Sequence, residues 1–91
     1  MELEERFEIR NKYGLHARAS TRVAQVAQRF RSDIWISRAE GAQEVDGKSI
    51  LGILTLGAER GMLIRVRVRG DDAGEAMKAL SRLISENFNE E

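Results

Sequence analysis

The chain carries one histidine, His16, in the stretch Gly14-Leu15-His16-Ala17-Arg18-Ala19-Ser20. A histidine can act as a nucleophile, a general base or a metal ligand, and its neighbours discriminate among these roles. Alternating residues before it read as a strand and helical spacing begins just after it, so His16 falls where a helix starts. The first turn of a helix exposes backbone N–H groups without partners and carries about half a positive charge. With His16 as the cap, the N–H groups of Ala17, Arg18 and Ala19 form an anion site beside the ring. The positive helix end disfavours an imidazolium and biases the ring toward its neutral, nucleophilic form. The same end favours a phosphoryl group once one is attached, and Arg18 adds a planar, permanently charged donor for phosphate oxygens. A reversible phosphoryl acceptor needs both properties. A lone histidine at a helix start is more often a plain cap or surface residue; Arg18 shifts the weight.

The rival chemistries lack companions. General-base catalysis needs an orienting carboxylate and a substrate pocket, but no acid stands near His16 in sequence and no glycine-rich phosphate loop is present. The absence of cysteine excludes disulfides, zinc-thiolate sites and thiol catalysis, and a single histidine excludes a multi-histidine metal site within one chain. No cofactor or metal is expected. With 91 residues, the chain reads as one domain spanning residues 1–91. Its 15 basic and 15 acidic residues cancel, so total charge points to neither nucleic acid nor a membrane surface. The acidic start Met1-Glu2-Leu3-Glu4-Glu5 is unlike a signal peptide, and no apolar run approaches the ~20 residues of a membrane span. A cytoplasmic protein is the expectation.

The elements that must position His16 follow from periodicity. Residues 5–11 alternate, with Phe7 and Ile9 on one side, and predict a strand. Tyr13 and Gly14 make a loop. Ala19, Val23, Val26, Ala27 and Phe30 mark one face of a helix over 17–30, with Arg18, Arg22, Gln25 and Arg29 away from it. Residues 33–38 form a second strand, with Ile34 and Ile36 inward and Trp35 and Ser37 outward. A turn over 39–42 leads to a short return strand over 43–45. Residues 48–57 are apolar on nearly every side and read as a helix closed by Gly57. Residues 62–69 form the clearest strand, with Ile64, Val66 and Val68 inward. Ala73, Ala76, Met77, Leu80, Leu83, Ile84 and Phe88 mark a last helix that Asp71 or Asp72 would cap. The order β-α-β-β-α-β-α, with one apolar face on each strand, predicts an α+β fold: an antiparallel sheet with helices on one side. Arg65, Arg67 and Arg69 fall on its wet side. An RNA-binding module is the alternative that stripe suggests, with Trp35 as a stacking group; cross-strand ion pairs explain it more simply.

Gly14, Leu15, His16, Ala17 and Arg18 resemble the Gly-Leu-His-Ala-Arg-Pro-Ala type motif of the HPr family, the histidine-containing phosphocarriers of the bacterial phosphoenolpyruvate:sugar phosphotransferase system. Lys48-Ser49-Ile50-Leu51-Gly52 is similar to that family's second motif, and Leu56-Gly57-Ala58 is family-like as well. The resemblance covers nearly the whole chain. It implies an open-faced β-sandwich, a four-stranded antiparallel sheet in the order 1-4-2-3 under three helices. It also implies a phosphocarrier with a phosphohistidine intermediate rather than a free-standing enzyme; a monomer that docks its partners transiently is the simplest expectation. His16 would accept a phosphoryl group on Nδ1 from phosphorylated enzyme I and pass it to IIA domains of sugar permeases, with Arg18 steadying the phosphate. Ser49 would be the serine modified by HPr kinase/phosphorylase in organisms that have it; read from spacing alone, it is a helix-capping hydroxyl.

Ala19 stands where the family often has proline. Alanine restores an N–H that could donate toward phosphate or to the cap. Ser20 and Thr21 also lie in the first turn and read as structural hydroxyls. Ile50, Leu51 and Leu54 are candidates for a docking surface, because a short helix apolar all round cannot bury every side in so small a domain. A purely regulatory relative that does not feed sugar uptake is the main alternative function.

Overall fold

The computed structural model describes residues 1–90. Four strands form the sheet: β1 (Glu2–Glu8), β2 (Asp33–Arg38), β3 (Val45–Asp46) and β4 (Leu63–Arg69). The helices are α1 (Ala17–Ala27), α2 (Ile50–Leu54) and α3 (Ala73–Ser85), followed by a single turn at Asn87–Asn89. The sheet order is β1-β4-β2-β3, with every neighbouring pair antiparallel. The element order is the one expected from periodicity, and the sheet order 1-4-2-3 is the one the family resemblance implies.

Register explains the one-sided core. Phe7 faces Ile64, and Ile36 and Ile34 face Val66 and Val68 across the β2–β4 ladder. These side chains project from one face, where α3 lies over β1 and β4 and α1 joins the same buried cluster. Ala19, Val23, Ala24 and Ala27 of α1 meet Ala76, Met77, Leu80 and Leu83 of α3 in one continuous buried cluster. Small alanines on α1 let it lie close to its neighbours, while the larger residues of α3 fill the remaining volume. No helix among the described residues is long and apolar enough to cross a membrane.

Several boundaries and exposures differ from the sequence reading, each for an identifiable physical reason. Strand β1 begins at Glu2, because Glu2 to Glu4 pair with Arg69 to Arg67 at the sheet edge; it ends at Glu8, and Ile9 stays buried with its N–H on the Met62 carbonyl at 2.9 Å. Helix α1 ends at Ala27 and not at Phe30: the Arg29 and Phe30 amides tighten onto carbonyls three residues back. Helix α2 is five residues long, since residues 55–57 continue in the same tight manner up to Gly57 at φ 57°. The return strand is Val45–Asp46, set by Ile36 facing Val45. Ser37 is buried, not outward in water, because it lies opposite Arg65, whose guanidinium crosses β2 to reach the Gly41 carbonyl at 3.3 Å. Phe88 is buried as expected of a core residue, but from a left-handed turn beyond α3.

Asp72 sits at the start of α3 but makes no side-chain cap there. Its carboxylate reaches the α1–β2 loop instead. Oδ2 accepts the Arg31 N–H at 2.9 Å, and Oδ1 accepts the Ser32 N–H at 3.0 Å and the Ser32 hydroxyl at 2.5 Å. The Ser32 hydroxyl and the Arg31 amide hold this carboxyl below its ordinary value of 3.8, against a smaller opposing effect of burial. A lowered folded-state pKa stabilises the protein above the ordinary value, and that stabilisation is lost as pH falls through the folded value. In Asp72→Asn the amide nitrogen must face one of these donors. The variant is expected to melt several degrees below the native protein at neutral pH, with the gap closing well below pH 3.8, as read by thermal denaturation across a pH series.

Candidate functional site

The turn from β1 into α1 is built to hold His16 at the rim. Gly14 adopts φ 64°, and a Cβ there would stand 2.4 Å from the Ala58 carbonyl oxygen, so only glycine fits. Leu15 follows as a buried anchor, and its N–H donates to the Ala58 oxygen at 2.9 Å. The Ser20 hydroxyl donates to the Leu15 carbonyl at 3.0 Å, and the Ser20 N–H makes the first helical bond, to the His16 carbonyl. His16 is thereby held extended at the N-cap, at φ −77° and ψ −175°.

The ring is held from both sides. Nδ1 accepts the Arg18 backbone N–H at 3.2 Å, and Nε2 lies 2.5 Å from Glu90 Oε2. A nitrogen that accepts an amide proton carries none of its own. The ring is therefore in the Nε2–H tautomer, donating to Glu90. Glu90 Oε1 accepts from the Asn11 side-chain amide at 2.7 Å, and that same amide donates to the Gly14 carbonyl at 2.8 Å. Burial pushes the Glu90 carboxyl up, but hydrogen bonds from Asn11 and His16, with electrostatic attraction to His16 and Arg22, outweigh it and hold the group below its ordinary value. Tyr13 stands edge-on to the imidazole, 5.8 Å between centroids.

An open cleft of about 590 Å³ lies beside the ring, lined by Lys12, Tyr13, His16, Arg18, Arg22, Asn89 and Glu90. The imidazole is 28% exposed, so a reactant can reach it from solvent. None of the ion pairs among the described residues involves the exposed Arg18 guanidinium. Arg22, one turn on, donates to the Phe88 carbonyl at 2.6 Å. The cleft thus gathers a ring nitrogen that accepts a backbone N–H, a helix start and cations at one rim, an arrangement suited to an anionic group.

The expected site residues separate into two places. His16 and Arg18 meet at the cleft, Ala17 lies exposed between them in the chain, and Ala19 turns its methyl into the core. The Ser20 and Thr21 hydroxyls are occupied by the Leu15 and Ala17 carbonyls and are structural. Ser49 does not line the cleft. It caps α2, accepting the Gly52 N–H at 3.0 Å. Lys48 beside it is bound at the far end of α1, its carbonyl accepting from Gln28 at 2.9 Å and its ammonium donating to the Phe30 carbonyl. Leu51 is 75% and Ile50 37% exposed, while Leu54 is half-buried. On the opposite sheet face Arg67 lies 4.0 Å from the Trp35 ring centroid and forks onto Glu44 at 2.7 and 2.8 Å; Arg69 lies 3.9 Å from Asp33. Arg67 and Arg69 of that stripe are thus paired with acids, and Arg65 donates to the Gly41 carbonyl.

The sequence reading missed Asn11, Lys12, Arg22, Asn89 and above all Glu90. It found no acid near His16, and the fold supplies one from 74 residues away. Arg22, four residues after Arg18, shares its helix face and was the one of these that spacing signalled.

Residues 3–86 match the family described as PTS HPr component phosphorylation site. The chain is 43% identical to the phosphocarrier protein HPr of Neisseria meningitidis, over 97% of each sequence. It is 32% identical to the multiphosphoryl transfer protein of Salmonella typhimurium, over 97% of its own length and 24% of the other's. The solved structure of HPr-C-His from Thermoanaerobacter tengcongensis superposes with a TM-score of 0.90 at 43% identity, covering 98% of both chains.

Proposed function

The chain belongs to the HPr family of phosphotransferase-system phosphocarriers, and we propose that His16 Nδ1 is the atom that carries its phosphoryl group. The observation that carries this reading is the bond from the Arg18 N–H to Nδ1 at 3.2 Å, which leaves that nitrogen unprotonated. Its lone pair attacks phosphorus on the phosphohistidine of enzyme I as the donor P–N bond breaks. No proton has to leave Nδ1. The ring keeps its Nε2 proton and becomes a phosphorylated imidazolium, and the displaced Arg18 N–H turns to a phosphate oxygen. The amides of Ala17 and Ala19 and the Arg18 guanidinium complete the anion site. Transfer onward to a IIA domain of a sugar permease reverses these steps.

Ser49 is a second, regulatory position in this reading. A phosphate at the start of α2 keeps an acceptor for the Gly52 amide and adds charge beside the exposed Ile50 and Leu51. Those side chains, with Leu54, form the apolar part of the surface that docks enzyme I and IIA domains.

Incubation with phosphoenolpyruvate and enzyme I is expected to give an acid-labile, base-stable adduct on the native chain and none on His16→Ala; labelling that persists in the variant overturns the assignment. Arg18→Ala should slow transfer by about ten- to a hundredfold, the worth of one charged hydrogen bond, with the circular dichroism spectrum unchanged. Incubation with HPr kinase/phosphorylase and ATP should add one phosphoryl group, visible in intact mass, to the native chain but not to Ser49→Ala. An unshifted native mass would leave Ser49 as a cap alone.

A further inference from the structure

We propose that Glu90 is a positioning residue of the His16 site: by accepting the Nε2 proton it fixes the ring in the tautomer whose Nδ1 lone pair is available. The inference rests on His16 being the phosphoryl acceptor and adds a residue to that reaction.

The geometry that supports it is a relay with every role assigned. Asn11 is 3% exposed, and its amide is anchored to the Gly14 carbonyl in the turn that sets His16. Its other bond goes to Glu90 Oε1, which places Oε2 against Nε2. Asn11 therefore ties the carboxylate to the same turn that orients the ring, so the two cannot drift apart independently. Both carboxylate oxygens face donors. An imidazole flipped to the other tautomer would set a bare Nε2 against the carboxylate and an Nδ1–H against the Arg18 N–H, two repulsive contacts in place of two bonds.

The tail that carries Glu90 is built to reach this point. Asn87, Phe88 and Asn89 all adopt left-handed backbone, at φ 55°, 57° and 61°. Asparagine tolerates that region, but phenylalanine is disfavoured there. Phe88 keeps it because its ring is fully buried and its carbonyl accepts from Arg22 at 2.6 Å. An unfavourable conformation maintained by two independent anchors, directly before a residue bonded to the nucleophile's ring, serves the placement of that residue. The chemistry gives the placement a use. When the Nδ1–P bond forms, the ring gains positive charge while Nε2 keeps its proton, so the ion pair with Glu90 strengthens as the phosphoryl group arrives.

The test reads the ring first, in unphosphorylated protein. In ¹⁵N spectra recorded above the ring's titration, native Nδ1 should resonate as a bare nitrogen and Nε2 as a protonated one. Glu90→Ala is expected to move both toward the average of a tautomer mixture and to slow phosphorylation by phosphoenolpyruvate and enzyme I on the order of tenfold, the loss of one charged hydrogen bond. If the alanine variant disturbs the tail, as seen in the Phe88 ring resonances, the isosteric Glu90→Gln makes the same comparison. Its amide nitrogen must oppose either Asn11 or the ring. A native nitrogen pattern in the variant, or a native transfer rate, overturns the proposal. Failure of the native chain to take up phosphate would instead overturn the acceptor assignment, while the nitrogen spectra would still judge Glu90's hold on the ring.

Discussion

The Gly14 backbone meets the Ala58 carbonyl with no room for a Cβ, and the site depends on that contact. It brings the end of the first strand and the segment after α2 to one point, where Leu15 enters the core and bonds Ala58. The next residue must then stand at the rim with its carbonyl already committed to the first helical bond. His16 has little freedom left. Its Nδ1 faces the Arg18 amide because the backbone of the first turn puts that donor there, while Nε2 faces Glu90.

The sheet order gives this junction its neighbours. Because β4 inserts between β1 and β2, α1 must cross over the sheet, and α3 returns beside it. The last turn of the chain then arrives at the opening of α1. Asn11, from just after the first strand, and Glu90, from the far end of the chain, meet only because the fold closes in this way. The contact has a large sequence separation, yet it is anchored within one hydrogen bond of Gly14. The site is therefore coupled to completion of the whole domain rather than to α1 alone.

Where a residue's environment is set by its own element, the sequence is readable. All seven apolar positions assigned to the last segment are buried, and β2 has the residues expected of it. His16 and Arg18 are readable for the same reason, because a helix start is a local object. Helix ends depart by local tightening of a turn, whereas departures in what a side chain touches involve partners from elsewhere in the chain. Ser37 obeys alternation but is covered by an arginine from the neighbouring strand. Asp72 has the composition of a cap and bonds the α1–β2 loop instead. Glu90 is furthest from legibility, since it depends on a left-handed turn in non-glycine residues that no local rule would select.

The two ends of α1 present different chemistry: His16 at the start, and Ser49 beside the finish through Lys48 and Gln28. An eleven-residue helix is about 16 Å long, beyond the Debye length of about 8 Å at physiological ionic strength. Charge added at one end is largely screened from the other. Two modifications on this protein would thus be written almost independently, as separate bits on one face. Any dependence of one on the other would be computed by the partner large enough to span both, not by the carrier itself.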